Sequence, residues 1–309
     1  MDEAMNTQGT PMTTFPVYDW TGFTNKPPQA GYGSVINRKD VGLFPGALPC
    51  TAEDRAWRVT ESDTKSYDSA KCQAWAKRAL DPARGPVILD TEAFQTWKRP
   101  DGTFSAETIT GASRTLLSVV DDIKAVHPKA KVGHYSCVPP RDWLWPVYGN
   151  YQGYWEKWSN LNAEIRKTGP GRRRVTVNVD FIAPDLYLLL PDDRGDATRS
   201  KALRADWVKF TVRFLTGMLD EARRYGKPVY PVIWPRLHGG GSGGLLWGAT
   251  IPDDVLMVLL ATIRAKADGC FVWGGMEYVA TADGSERYTG PVAWETQEWY
   301  PRLAQVLLG

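Results

Sequence analysis

Two carboxylates, Asp90 and Glu92, close the apolar run Val87-Ile88-Leu89. Alternate residues of a strand point to the same side, roughly 6–7 Å apart along the backbone, so the Asp90-Thr91-Glu92 segment would present both acids together. Such a pair suits acid–base chemistry. A carboxyl kept protonated by burial can donate a proton, and an ionised neighbour raises its pKa further because two close negative charges are disfavoured. A lone Asp-x-Glu usually caps a loop and meets solvent. One that ends a buried barrel strand faces the mouth where barrel enzymes do their chemistry.

Other chemistry-bearing residues also follow apolar runs. Asp180 and Asp185 flank a strand end, where loop capping is the expected role. His134 and His238 lie near strand ends, but a Ser–His–Asp hydrolase needs a G-x-S-x-G elbow and the chain has none. Glu277, just beyond Trp273-Gly274-Gly275, is a candidate second acid. Arg99, Arg141 and Arg236 follow strand ends and could meet the carboxylates of a polymer, against a default of solvated arginine. Fourteen Trp and thirteen Tyr supply flat apolar faces with a polar edge. Those suit sugar rings, although most aromatic rings in any protein are core.

The elements that must position these residues alternate along the chain. Strand candidates are Phe15–Trp20, Ser34–Asn37, Val87–Asp90, Lys131–Ser136, Val179–Ala183, Val229–Trp234 and Cys270–Trp273. Most are almost continuously apolar, as buried parallel strands are. Helical stripes lie between them: Ile109, Ala112, Leu116, Val119, Val120, Ile123 and Val126; then Trp207, Phe210, Phe214, Leu215 and Leu219, stopping at Gly226-Lys227-Pro228; then Val255, Val258, Leu259 and Ile263. A last helix is expected around Thr296–Leu308. The pattern predicts an α/β chain folded as a distorted TIM-type (β/α) barrel of seven or eight strands. Residues 1–309 would form one catalytic domain, with 1–14 a flexible tail. A doubly wound open sheet is the competing architecture, but no G-x-G-x-x-G follows a strand. The run His238 to Gly244 reads as a mobile loop beside the barrel mouth or as plain linker.

Thirty-seven basic against 35 acidic residues leave a net charge of +2, which argues against nucleic acid as a partner. No apolar run reaches the ~18 residues of a membrane span. The polar segment Met1–Thr14 lacks the apolar core of a signal peptide, so the chain is expected in the cytoplasm, or outside the cell if a leader has been removed. Cys50, Cys72, Cys137 and Cys270 show no C-x-x-C spacing, which argues against a metal; three pairings or free thiols remain open. No cofactor is expected, and a monomer is.

The sequence resembles the hyaluronidases of animal tissues and venoms. Their acidic strand ends in a D-W-E-x-W-R-P-like run, similar to Asp90-Thr91-Glu92-Ala93-Phe94 with Trp97 and Arg99-Pro100. Val41-Gly42-Leu43-Phe44-Pro45 resembles L-G-x-Y-P, and Gly133-His134-Tyr135-Ser136-Cys137-Val138-Pro139 resembles G-x-Y-x-x-P. Pro184-Asp185-Leu186-Tyr187 resembles P-S-I-Y, and Val272-Trp273-Gly274 a late W-G motif. The order holds over about residues 35–275. The family carries tyrosines where Asn37 and Ala183 fall, and a tryptophan where Thr91 falls.

This resemblance implies a polysaccharide partner, including a polyanionic one, and cleavage of a β-linkage after an N-acetylhexosamine. The mechanism would be substrate-assisted: Glu92 is general acid and then base, and Asp90 holds the acetamido N–H. Tyr187, Trp273 and Tyr135 would shape the sugar pocket, with Trp234, Arg236, Arg99 and Arg141 as further substrate contacts. Two alternatives stand beside it. One is a glycosidase on another glycan such as peptidoglycan, with Glu277 or Asp180 as second acid. The other is a barrel that binds carbohydrate without cleaving it.

Overall fold

Strands apolar on both faces need cover on both faces, and here a helix layer supplies one side and aromatic rings the other. The computed structural model describes residues 15–21, 57–59, 65–80, 85–89, 91, 97, 103–140, 152–167, 173–188, 197–236, 251–274, 276–280, 286–291, 303, 306 and 307. In chain order the elements are β1 (Val17–Thr21), β2 (Trp57–Val59), β3 (Lys65–Tyr67), α1 (Ser69–Ala79), β4 (Val87–Leu89), α2 (Ala106–Val126) and β5 (Val132–His134). There follow α3 (Gln152–Arg166), α4 (Ala197–Arg223), β6 (Val232–Ile233), α5 (Asp253–Lys266), β7 (Cys270–Gly274), β8 (Met276–Ala280) and β9 (Glu286–Pro291).

One parallel wall runs through the molecule. β4 lies parallel to β5, with Val87 opposite Val132 and Leu89 opposite His134. Tyr135 bridges in parallel to Ala183, while Ile182 and Asp185 bridge in parallel to Val229 and Val232, so the 182–185 stretch serves as the next strand. β6 pairs with β7, and β7 with β1, all parallel. The order β4, β5, 182–185, β6, β7, β1 follows the chain one strand at a time, then sets the first strand beside the last parallel one. A doubly wound sheet reverses direction at a switch point; a (β/α) barrel returns to its start. The connectivity is therefore that of a barrel. Six wall positions are described, and the strand expected at Ser34–Asn37 lies outside the described residues.

Four crossovers obey the same rule, α2, α3, α4 and α5 each joining one wall strand to the next. α2 buries the expected stripe of Ile109, Ala112, Leu116, Val119, Val120 and Ile123. It opens on a capping box in which Ser105 and Thr108 exchange side-chain-to-backbone hydrogen bonds. α4 begins at Ala197, well before the apolar stripe, because its polar first half has good helix formers but no apolar face. It stops where expected, at Gly226 with φ +71°, a left-handed conformation that glycine adopts without strain.

Along β5 the residues alternate between the two faces of the wall. His134 points into the helix layer, where its Nε2 meets the Leu116 carbonyl of α2 at 3.1 Å. Gly133 points the other way, and a Cβ there would stand 2.4 Å from the Phe181 ring. That inner face carries an aromatic layer: Phe181 and Phe271 at 5.6 Å, Tyr18 and Phe271 at 5.0 Å, Phe181 and Tyr230 at 5.5 Å between centroids. Two antiparallel pairs, β2 with β3 and β8 with β9, stand apart from the wall and were not expected from the sequence. Cys72, Cys137 and Cys270 are buried free thiols.

Candidate functional site at the C-terminal rim of the wall

Four rings meet where neighbouring wall positions end. Tyr135 follows β5, Tyr187 follows the 182–185 stretch, Trp234 follows β6 and Trp273 lies near the end of β7. Tyr187 stacks on Trp273 at 5.6 Å and meets Trp234 edge-on at 5.9 Å. Trp234 and Trp273 are edge to face at 5.1 Å, and Tyr135 tilts toward Tyr187 at 6.1 Å. Each such pair contributes about 0.5–1.5 kcal/mol beyond burial. The pleat explains the convergence. Ala183 and Tyr135 are paired, as are Asp185 and Val232, and Phe271 is opposite Val232. Steps of two residues from these put Tyr187, Trp234 and Trp273 on one face. Tyr135, Tyr187 and Trp234 are buried, whereas Trp273 is half-buried.

A fully buried carboxylate underlies the cluster. Asp185 accepts the Tyr135 hydroxyl on Oδ2 at 2.9 Å and the Tyr187 backbone N–H on Oδ1 at 2.8 Å. Its backbone bond fits the capping role expected of it. The bond to Tyr135 was not foreseen, although Asp185 shares its parity with Ala183 and Tyr187. Asp180 belongs elsewhere. Its Oδ2 accepts the Val132 N–H at 2.8 Å and pairs with Lys124 at 2.7 Å, which ties down the start of β5 at the opposite rim. It is therefore no second acid for this site.

β4 leads directly into the acid segment. Asp90 and Glu92 lie outside the described residues, as do Arg99, Arg141, Asn37 and His238. The side chain of Glu277, on β8, is likewise not among those described. Arg236 is half-buried two residues beyond Trp234. Between the two acids, Thr91 is buried, and its hydroxyl lies 2.8 Å from His134 Nδ1. The Leu116 carbonyl can only accept, so Nε2 of His134 carries the hydrogen and Nδ1 accepts from Thr91. The ring is neutral, because burial lowers its pKa from 6.5 to about 4. Among the described residues no group of three or more His, Cys, Asp or Glu could hold a metal ion, and no helix is long and apolar enough to cross a membrane.

No family model and no curated protein matches the chain. Solved structures similar to it include bee venom hyaluronidase, at 13% identity and TM-score 0.47, over 78% of this chain and 77% of that one. The same enzyme in complex with a hyaluronic acid tetramer aligns at 14% identity and TM-score 0.43, over 84% and 78%. A fungal β-1,4-galactanase aligns at 17% identity and TM-score 0.35, over 66% and 55%. Likeness at this level decides neither fold nor chemistry, and the barrel assignment stands on the strand order.

Proposed function

We propose that the chain is a glycoside hydrolase that cleaves β-linkages after an N-acetylhexosamine in a glycosaminoglycan-like polymer. The observation that carries this reading is the gathering of Tyr135, Tyr187, Trp234 and Trp273 at the C-terminal rim of a parallel wall whose β4 strand runs straight into Asp90-Thr91-Glu92. Aromatic faces at that rim suit a sugar ring, and barrel enzymes work from that rim.

The orientation of Thr91 supports the acid pair. Ile88 is opposite Gly133 on the inner face, and Thr91 reaches His134 on the outer one. In an extended segment the sequence neighbours of Thr91 would emerge on the side opposite to it, and on this reading those neighbours are the two acids. On this reading the substrate's acetamido oxygen attacks the anomeric carbon while Glu92 protonates the departing glycosidic oxygen. Asp90 accepts the acetamido N–H as positive charge develops there. Glu92, now a carboxylate, takes a proton from the water that opens the cyclic intermediate, and the configuration is retained.

The test is release of reducing ends from hyaluronan, chondroitin and peptidoglycan between about pH 4 and 7, a window that brackets a raised carboxyl pKa, with the anomer of the first product read by NMR. Release from a glycosaminoglycan with retention is expected. Release from peptidoglycan alone would move the substrate class. Tight binding of a polymer with no release would leave a carbohydrate-binding barrel.

A further inference from the structure

The functional reading leaves one buried polar chain unused. Thr91 sits between the two proposed acids and is buried with its hydroxyl on His134 Nδ1. The imidazole itself is buried at 4% exposure, and its Nε2–H reaches back to the Leu116 carbonyl in α2. Leu116 lies mid-helix on a face packed into the core. A residue between two acids needs no polar tether for its own sake, and a valine would fill the same volume without requiring a buried acceptor. From this geometry we infer that Thr91 and His134 are positioning residues for the acid pair, a hydrogen-bonded strut from α2 that fixes the rotation of the segment carrying Asp90 and Glu92. The inference rests on the proposed roles of those two acids.

The physics is directional. Pinning the Thr91 side chain to the helix layer restrains the backbone of residue 91 and, through it, the peptide links to its two neighbours in sequence. Displacing a reacting group by about 1 Å costs on the order of 10²-fold in rate, so a strut that removes one rotational freedom matters more to turnover than to affinity. The strut works only with one tautomer: Nε2 protonated toward the backbone carbonyl, Nδ1 bare toward the threonine hydroxyl. The depressed histidine pKa agrees with that state, since charging the ring would add a second N–H facing a hydroxyl that now donates to it.

Thr91→Val removes the hydroxyl at nearly constant shape, and Thr91→Ser restores it. With hyaluronan and chondroitin as substrates, Thr91→Val should lower kcat about tenfold with KM within about twofold of wild type, and Thr91→Ser should recover most of the rate. Glu92→Gln run alongside separates the two claims. If Glu92→Gln is inactive while Thr91→Val turns over like wild type, the strut is wrong and the acid stands. Equal losses in Thr91→Val and Thr91→Ser would also sink the strut, because the hydroxyl would not be the cause. Wild-type turnover by Glu92→Gln, or no release from either polymer by the wild-type protein, overturns the acid reading and the strut with it. A measurement on the unaltered protein is independent of turnover. The chain has three histidines, so imidazole ¹⁵N shifts can identify His134, and a protonated Nδ1 at neutral pH would contradict the strut outright.

Discussion

Charging His134 in place would set a second N–H against the Thr91 hydroxyl, and burial holds its pKa at about 4 rather than 6.5. The unfolded chain therefore takes up a proton as pH falls from 6.5 to 4, and the fold does not. Stability from this group is complete above pH 6.5 and is lost through that window, by about 3 kcal/mol at full extent. Urea unfolding at about pH 7 and pH 4.5 should show a steeper loss for the wild type than for His134→Gln; parallel losses would contradict the assignment. At this scale the sequence was legible in part. Tyr135, Tyr187, Trp234 and Trp273 were singled out and are brought together. The Asp185–Tyr135 bond and the role of His134 are not legible in the sequence, because each depends on a partner about 40–50 residues away that only register supplies. The buried Asp185 carboxylate gives its own test. Asp185→Ala removes the buried acceptor of the Tyr135 hydroxyl and the Tyr187 N–H, and should cost roughly 2–5 kcal/mol, measured by chemical denaturation.

Wall strands announce themselves because both faces are buried and their sequences are nearly unbroken apolar runs. Of the seven expected, six hold wall positions and the seventh lies outside the described residues. The helices were less readable. α3 buries Trp158, Leu161, Asn162 and Ile165 along one stripe, and the asparagine hides the period. Asn162 is tolerated there because its amide donates to the Trp158 carbonyl and its oxygen accepts the Tyr225 hydroxyl. α1 buries Cys72, Trp75 and Ala76 between lysines and an arginine, too few apolar residues to show a face. β2, β3, β8 and β9 are short antiparallel pieces without a continuous apolar run. Within β5, Gly133 exists to admit a ring. Gly133→Ala would drive a methyl into Phe181, which is itself fully buried. A loss of about 1–3 kcal/mol is expected, recovered in part by Phe181→Leu; an unchanged unfolding midpoint would show that the ring can move.

Over the whole molecule, the pairing of β1 with β7 ties the start of the chain to its last wall strand. That pairing makes β1 part of the same parallel wall as β6 and β7, so damage at the first strand should be felt along the wall. Val17 is fully buried in β1. Val17→Asp should therefore lower global stability by about 4 kcal/mol or more, with tryptophan fluorescence and circular dichroism reporting one shared transition. Two separate transitions would mean that β1 is not part of the same cooperative wall.

The wall brings four aromatic rings to one rim, β4 runs into Asp90-Thr91-Glu92, and Glu92 is proposed to act there on a glycan. The most direct measurement is hyaluronan cleavage by Glu92→Gln beside wild type, with polymer binding followed by calorimetry. Cleavage should fall by on the order of 10²–10⁴ while binding is kept. Cleavage at the wild-type rate would contradict that role for Glu92.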